Sequence, residues 1–278
     1  AHNVGGVAGY FSGSATITGG INDGGDIMAT GARNESSFVV EMVRPQNGKT
    51  REEFIIGNIG GVVGYLEGDD VYVTGSANRG TVHTYDEFTG TNVPDYAKAA
   101  NVGGVVGKID REIQNTLDEI KGVNGADKET AAVTNSYNTG DVLGYTGVGG
   151  VIGMMYNGAV SGSYNLGTVN TTRQVDRSGG SNIDPLNMGG IVGDTTEETN
   201  ASAIIYDVYN KGQIGDEEFN YYARHVGGIV GRLCGDVEKA YNTGDIYNND
   251  TVVGGIAGWW YKGNMNNAFN TGNITAIT

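Results

Sequence analysis

The stretch Val226-Gly227-Gly228-Ile229-Val230-Gly231 decides the fold, because close copies of it recur along the whole 278-residue chain. Each copy places an apolar residue before a glycine pair, followed by two small apolar residues and a further glycine. In the seven copies the first glycine of the pair is Gly5, Gly60, Gly103, Gly149, Gly189, Gly227 or Gly254. Seven copies indicate a repeat protein, so we interpret the stretch as architecture and not as an active site.

A second element, Tyr241-Asn242-Thr243-Gly244-Asp245-Ile246, has a counterpart after every copy of the first, with one extra glycine in the first unit. Its reference asparagines are Asn22, Asn78, Asn138, Asn165, Asn210, Asn242 and Asn270. Identical amides stacked one above another can each donate to one neighbour and accept from the other. We therefore predict that these residues form a structural ladder and have no catalytic role.

Two columns of residues near the ladder are apolar in all seven units. The residue directly before the asparagine is Ile21, Ala77, Tyr137, Tyr164, Tyr209, Tyr241 or Phe269. The residue five positions before it is Ile17, Val73, Val133, Val160, Ile205, Val237 or Met265. A column that stays apolar in every unit is what burial along one continuous core requires, so we expect both columns to be buried.

The spacing of the repeat predicts the architecture. From Gly227 to Gly254 the period is 27 residues, and it contains three apolar stretches, Gly228–Leu233, Val237–Tyr241 and Asp245–Tyr247. A propeller blade needs roughly 40 to 50 residues, and the six-residue apolar period of hexapeptide solenoids is absent. The sequence therefore predicts an all-β fold: one domain over residues 1–278, a parallel β-helix of about seven three-strand coils, right-handed by the crossover preference.

Composition excludes several classes of partner. The net charge of -15, with only 17 Lys and Arg, argues against nucleic acid and anionic membranes, because both need a positive surface. No apolar run is long enough for direct insertion into a membrane. The single cysteine, Cys234, leaves no disulfide framework within the chain. No metal-binding or cofactor-binding motif is present, so we expect none of these groups.

Insertions lengthen several coils. Four of them lie between a second element and the next first element, and we expect them to emerge from one corner of the coil: Ala29 to Asn58, His83 to Asn101, Asn170 to Asn187 and Gly215 to His225. The fifth, Asp110 to Ala132, interrupts the third coil. Apolar residues at helical spacing in and beside it predict a short amphipathic helix on the solenoid: Ile109, Ile113, Leu117 and Ile120.

Together the two elements resemble the GLUG motif of bacterial surface proteins. The resemblance covers all seven units, although the insertions do not match. It implies a secreted or cell-wall-attached protein, such as an adhesin or the non-catalytic repeats of immunoglobulin A peptidases. It supplies no catalytic residues, and the zinc motif His-Glu-x-x-His of those peptidases is absent. We therefore expect a piece of a longer exported protein.

Aromatic residues give the best indication of a binding site. Trp259 and Tyr261 directly follow the seventh copy of the first element. Tyr221 and Tyr222 lie in the insertion before the sixth copy. Flat rings suit sugar faces and protein hot spots alike. The position of Trp260 corresponds to Leu66, Ile109, Met155 and Leu233 in other coils, so we expect Trp260 in the core. The position of Trp259 is held by charged residues in some other coils, so we expect Trp259 to be exposed.

Acidic residues are the candidates for the two less favoured functions, a polysaccharide-active enzyme and calcium binding. They lie in turns or insertions, as Asp69 with Asp70, Asp86 with Glu87, Glu197 with Glu198, and Asp216 with Glu217 and Glu218. Acidic pairs in such places are usually only solvated. An enzyme would need two or three carboxylates, or a carboxylate and a basic residue, that converge on one groove.

The sequence therefore predicts a non-enzymatic adhesive or stalk module, extracellular or on the cell surface. Its insertion loops would bind a glycan or protein on a host or neighbouring cell. The main alternative is a structural subunit that associates end to end into a filament or surface layer. A catalytic β-helix acting on polysaccharides is the remaining alternative.

Overall fold

In a computed structural model the chain is a parallel β-helix. The structure describes residues 3–23, 27–29, 57–84, 101–112, 114–123, 131–171, 187–195, 202–218, 223–249 and 252–276. Every strand pairing in this part of the chain is parallel, and each joins a strand to its copy in a neighbouring coil. The prediction of an all-β parallel solenoid is confirmed.

Thirty strands and one helix make up the described coils. In the first two coils the strands are β1 Asn3–Gly5, β2 Ala8–Ser12, β3 Ala15–Thr18, β4 Ile21–Asn22, β5 Ile27–Ala29, β6 Asn58–Gly60, β7 Val63–Glu67, β8 Val71–Thr74, β9 Ala77–Asn78 and β10 Val82–Thr84. The next two coils contain β11 Asn101–Gly103, β12 Val106–Asp110, helix α1 Leu117–Lys121, β13 Val133–Thr134, β14 Tyr137–Asn138, β15 Val142–Gly144, β16 Gly147–Gly149, β17 Ile152–Tyr156, β18 Ala159–Ser161, β19 Tyr164–Asn165 and β20 Val169–Thr171. The last three contain β21 Asn187–Gly189, β22 Val192–Asp194, β23 Ala203–Asn210, β24 His225–Gly227, β25 Val230–Asn242, β26 Ile246–Asn248, β27 Val252–Gly254, β28 Ala257–Lys262, β29 Met265–Asn270 and β30 Ile274–Ala276.

The strands line up in four walls, although the sixth coil has three strands as predicted, β24 to β26, because β25 runs through two of the walls. The first wall lies just before the first predicted stretch: β24 ends at Gly227, and β25 begins at Val230. A Cβ atom on Gly227 would lie only 2.0 Å from the carbonyl oxygen of Val230, so the backbone turns here more tightly than a side chain allows. The first wall is a separate sheet, ordered β1-β6-β11-β16-β21-β24-β27.

The two repeated elements of a coil pack directly against each other. A Cβ atom on the second glycine of the pair would lie 2.4 Å from the side-chain Cγ of the ladder asparagine, as between Gly150 and Asn165. The same close approach links Gly104 to Asn138 and Gly190 to Asn210. The glycine pair and the asparagine therefore form one packing unit, which explains why the two elements recur together.

The asparagine side chains form one continuous hydrogen-bonded line. Each Nδ2 donates to Oδ1 of the asparagine in the next coil, over 2.6 to 2.8 Å, from Asn22 to Asn270. In the inner coils Nδ2 also donates to the carbonyl oxygen two residues on, as from Asn165 to Gly167. The asparagines of the second to sixth coils are fully buried.

One of the two predicted core columns lies outside the core except at Ala77. The column of Val73, Val133 and Val160 is fully buried, as predicted. The tyrosines directly before the asparagines are only partly buried, because successive side chains of a strand point to opposite faces and the asparagine occupies the inner one. Tyr137, Tyr164, Tyr209, Tyr241 and Phe269 instead stack on the outside, with ring centroids 4.8 to 5.3 Å apart.

The predicted helix is present but shorter than expected. Helix α1 starts at Leu117 with Thr116 as its N-cap, whereas Ile109 belongs to strand β12 and Ile113 lies outside the described residues. Ile120 is buried with Ala131, Ala159 and Ile204 on the outer side of the third wall. Lys121 makes a 3.0 Å ion pair with Glu238, so the inserted segment of the third coil reaches the sixth coil.

The insertions lie largely outside the described residues, but their flanks agree with the prediction. Three of the four follow a strand of the fourth wall and precede a strand of the first wall, between β5 and β6, β10 and β11, and β20 and β21. The fourth follows Ile214, which bridges Val169 and Ile246 of the same wall. All four therefore leave the solenoid at the corner between these two walls.

Candidate ligand-binding face

The outer edges of the first and second walls meet along a line that we call the seam. Its first-wall column is Asn3, Asn58, Asn101, Gly147, Asn187, His225 and Val252. Its second-wall column is Tyr10, Tyr65, Lys108, Met154, Asp194, Arg232 and Trp259. The insertions enter just before the first of these columns, so the seam is the part of the solenoid surface next to them.

An aromatic corner forms the C-terminal end of the seam. The ring of Trp259 lies 4.7 Å from the ring of His225 at an interplanar angle of 46°. It also meets Tyr261 edge to face, at 6.3 Å and 86°. Trp259 is partly buried and Tyr261 is exposed. The structure thus brings together two of the four predicted contact residues, while Tyr221 and Tyr222 lie outside the described residues.

A buried polar network supports this corner. Arg232 donates to both carboxylate oxygens of Asp194, from Nε over 2.9 Å and from Nη2 over 2.8 Å. The other end of the network is the amide of Asn187, which donates to Asp194 over 2.7 Å and contacts Nδ1 of His225 over 2.7 Å. An ionised carboxylate only accepts, so the amide nitrogen must face Asp194, and Nδ1 of His225 must carry the proton.

This network fixes the position of the Trp259 ring. All four of its side chains are buried, and the charges of Asp194 and Arg232 are paired in a bidentate geometry. The His225 ring cannot rotate without breaking its bond to Asn187. An aromatic surface held in this way loses little conformational entropy when a ligand binds.

Trp260 does not have the fully buried environment that its column predicts. Its counterparts Met155 and Leu233 are fully buried, but Trp260 is 50% exposed. Among the described residues, its strand pairs on one side, with Leu233 of the sixth coil.

A second cluster lies at the N-terminal end of the seam. Glu67 and Asp110 occupy the same position in adjacent coils, and the hydroxyl of Tyr65 lies 3.3 Å from Glu67 and 3.2 Å from Asp110. Lys108 pairs with Asp110 over 2.9 Å, and Tyr10 is hydrogen-bonded to Glu67. Burial, and then the two carboxylates, raise the pKa of Tyr65 well above its usual range. This phenol therefore stays protonated at neutral pH and cannot act as a base.

Sequence reasoning missed both the polar network and the N-terminal cluster. The signal for the polar network is a polar residue two positions before the glycine pair, which is Asn187 in one coil and His225 in the next. The signal for the N-terminal cluster is an acidic residue three positions after the final glycine of the first element, at Glu67 and Asp110. Neither column keeps one residue type along the chain, so neither stands out as a repeat.

The acidic candidates that fall within the described residues serve local structure. Asp69 accepts the backbone N–H of Glu112 over 3.1 Å, and Asp216 accepts that of Glu218 over 3.0 Å. Tyr247 donates to Glu217 over 2.9 Å. Throughout the described ranges, no group of three or more His, Cys, Asp or Glu side chains is arranged to hold a metal ion. The pairs at 86–87 and 197–198 lie outside these ranges.

Comparisons with known proteins give one partial similarity. No known family and no solved structure matches the sequence. Part of the chain is similar to Halomucin. Halomucin is a protein of Haloquadratum walsbyi, and the two sequences are 30% identical over 183 residues. This stretch is 64% of the present chain but 2% of Halomucin. The chain thus spans a very small part of that relative. In the described part, no helix has the length and apolar character needed to cross a membrane.

Proposed function

We propose that this chain is a non-enzymatic β-helix module of an extracellular or cell-surface protein, with repeats of the GLUG type. Its partner is a glycan or protein on a host or neighbouring cell, bound at the C-terminal end of the seam. The partial similarity to Halomucin supports a module within a much larger protein. The net charge of -15 favours a neutral or basic partner over an anionic one.

The aromatic corner of Trp259 and Tyr261 is the observation that carries this proposal. Sugars bind to the open faces of aromatic rings, and protein hot spots also use large rings. In the outer tyrosine stack the faces of the inner rings are covered by neighbouring rings, at interplanar angles of 3 to 7°. Trp259 and Tyr261 meet at a right angle instead, which leaves ring surface for a ligand.

A polysaccharide-active enzyme is the further alternative, and the pair of Glu67 and Asp110 is the observation that favours it. The hydrogen bonds of Tyr10 and Tyr65 and the ion pair of Lys108 engage both carboxylates. This arrangement supports a structural role for the pair more than a catalytic one. Release of reducing ends from neutral and acidic polysaccharides by the purified chain would favour the enzyme instead.

The test is a glycan-array and matrix-protein binding screen followed by titration of any ligand with matched tryptophan variants. We expect Trp259→Ala to weaken binding at least tenfold while thermal unfolding stays close to that of the parent chain. In the neighbouring variant, Trp260→Ala, we expect a lower unfolding temperature, since that ring packs on Leu233 of the inner column.

Two outcomes would contradict the proposal. The first is a stability loss in Trp259→Ala as large as that in Trp260→Ala, which would make Trp259 a packing residue. The second is ligand binding that Trp259→Ala and Tyr261→Ala leave unchanged.

A further inference from the structure

The first-wall column of the seam lacks a side chain at Gly147, in the fourth of the seven coils. Its neighbours along the column are Asn101 and Asn187, and Met154 occupies the second-wall column of the same coil. A Cβ atom on Gly147 would lie 2.9 Å from Oδ1 of Asn101, so this oxygen lies across the glycine. We call Gly147 and the three side chains around it the seam gap.

The amide of Asn101 has hydrogen-bonding groups that no described residue uses. In the inner ladder, Nδ2 of Asn165 donates twice and its Oδ1 accepts twice. Nδ2 of Asn101 donates once, to Oδ1 of Asn58 over 2.8 Å, and its own Oδ1 accepts no bond from the described residues. Asn101 is only 9% exposed, but its oxygen is not among the described polar atoms that are sealed from solvent without a partner. The amide therefore keeps a donor and an acceptor for a ligand.

Between the seam gap and the aromatic corner, the seam has its charges in pairs. From the third coil to the seventh, the charged side chains of its two columns are Lys108, Asp194 and Arg232. Lys108 is paired with Asp110, and Asp194 with Arg232. A ligand that lies along this stretch therefore needs polar groups but no charge of its own.

We propose that the seam binds a neutral polysaccharide lengthwise, from the aromatic corner to the seam gap. This inference rests on the proposed function, because it extends the same site and names the class of its ligand. Gly147 lies three coils before Trp259, which is roughly 14 Å at a strand spacing of about 4.8 Å. A chain of several sugars reaches both places, whereas a disaccharide reaches only one.

Sugar hydroxyl groups fit the amide of Asn101, because each hydroxyl both donates and accepts. The seam gap admits only a small group of this kind, since Oδ1 of Asn101 and the carbonyl oxygen of Gly153 both lie 2.9 Å from the Cβ position at Gly147. At the other end, the open ring surface of Trp259 suits the face of a sugar. A protein partner would instead anchor large side chains in desolvated pockets, which a gap of one glycine does not provide.

Affinity electrophoresis of the full 278-residue chain tests the class of ligand. The probes are galactomannan, xyloglucan and hydroxyethyl cellulose as neutral polysaccharides, alginate as an acidic one, and gelatin as a protein. We expect at least one neutral polysaccharide to retard the chain and alginate to leave it unretarded. A chain that no neutral polysaccharide retards, or that alginate retards more strongly, overturns the inference. Binding to gelatin alone, weakened by Trp259→Ala, overturns it and leaves the proposed function standing.

Oligosaccharides of two and six sugars, made from the polysaccharide that retards the chain most, locate the contact by calorimetric titration. We expect the parent chain to bind the longer one at least tenfold more tightly. Gly147→Asn fills the seam gap with the residue found at Asn101 and Asn187 of the same column. This variant should weaken the longer ligand at least fivefold and change the shorter one less than twofold, whereas Trp259→Ala should weaken both. Leu166→Asn, at an exposed position away from the seam, is the matched control and should bind like the parent chain.

A second variant separates the seam gap from the fold. Asn101→Ala removes the amide without filling the gap and should also weaken the longer ligand, and circular dichroism identifies the variants that keep the parental fold. Equal affinity of the parent chain for both lengths overturns the inference, as does a folded Gly147→Asn or Asn101→Ala that binds the longer ligand like the parent. If only Trp259→Ala weakens binding, the corner binds sugars without the rest of the seam, and the proposed function stands alone. If Trp259→Ala has no effect either, both fail.

Discussion

At the scale of single residues, the asparagine ladder shows how one side chain serves two purposes. Within its own coil Asn165 bonds to the carbonyl oxygen and the N–H of Gly167, which closes the turn. Between coils it accepts from Asn138 and donates to Asn210. An aspartate would lose the donor, and a longer glutamine would not fit against Gly150, which already leaves no room for a Cβ atom.

We predict that Asn165→Ala costs more stability than Asn270→Ala. The first change removes two ladder bonds, so that Nδ2 of Asn138 and Oδ1 of Asn210 each lose one partner inside the core, at about 1 to 3 kcal/mol for each buried group. The second removes one ladder bond, on a side chain that is only partly buried. Denaturant midpoints of the two variants measure the difference. Equal losses, or a larger loss for Asn270→Ala, would mean that the ladder contributes little to stability.

At the scale of elements, helix α1 ties several coils together from outside. Its N-terminus has a capping box formed by Thr116 and Glu119, and its C-terminus ends at Gly122 in the left-handed conformation. A helix of five residues is too short to be stable alone, so it depends on burial of Ile120 against the third wall.

We therefore predict that Ile120→Ala destabilises the chain by about 2 to 4 kcal/mol, the usual cost of truncating a buried isoleucine. Lys121→Ala is the comparison on the same helix, because it removes the ion pair with the buried Glu238 and keeps Ile120. Urea unfolding followed by circular dichroism compares the two. If Lys121→Ala proves as harmful as Ile120→Ala, the helix is held by charge and not by apolar burial.

At the scale of the whole molecule, the charge balance opposes the compact state. The chain has 32 acidic and 17 basic residues, which gives the net charge of -15. Repulsion among the excess carboxylates acts over a Debye length of about 30 Å at 0.01 M salt but only about 10 Å at 0.1 M.

We predict that the midpoint of thermal unfolding rises between 0.01 and 0.3 M sodium chloride. A gain of about 1 kcal/mol from screening corresponds to roughly 2 °C or more in a chain of this size. Scanning calorimetry measures the shift, and choline chloride at the same ionic strength should give the same result. A midpoint that falls with salt would show that attractive ion pairs outweigh the net repulsion.

The sequence by itself determined the period, the parallel pairing and the residues that stack from coil to coil. Side chains in one column meet their own copies, so a column can be read from one unit and checked against six others. The columns of Asn138 and Val133 were predictable for this reason. At other positions the residue type changes from coil to coil. The residue three positions before the ladder asparagine has a left-handed backbone, and it is Gly75 or Asn135 in some coils but Lys239 in another. Such a position is not visible as a repeat.

Only the tertiary structure decided which face each column occupies and which different columns meet. The tyrosine column is apolar in sequence but lies outside, because the asparagine beside it needs the inner position to bond its neighbours. The corner at Gly227 and the network from Asp194 to His225 depend on contacts between unlike residues of different walls. A repeat shows which residues stack on their own copies, but contacts around the coil depend on where the backbone turns.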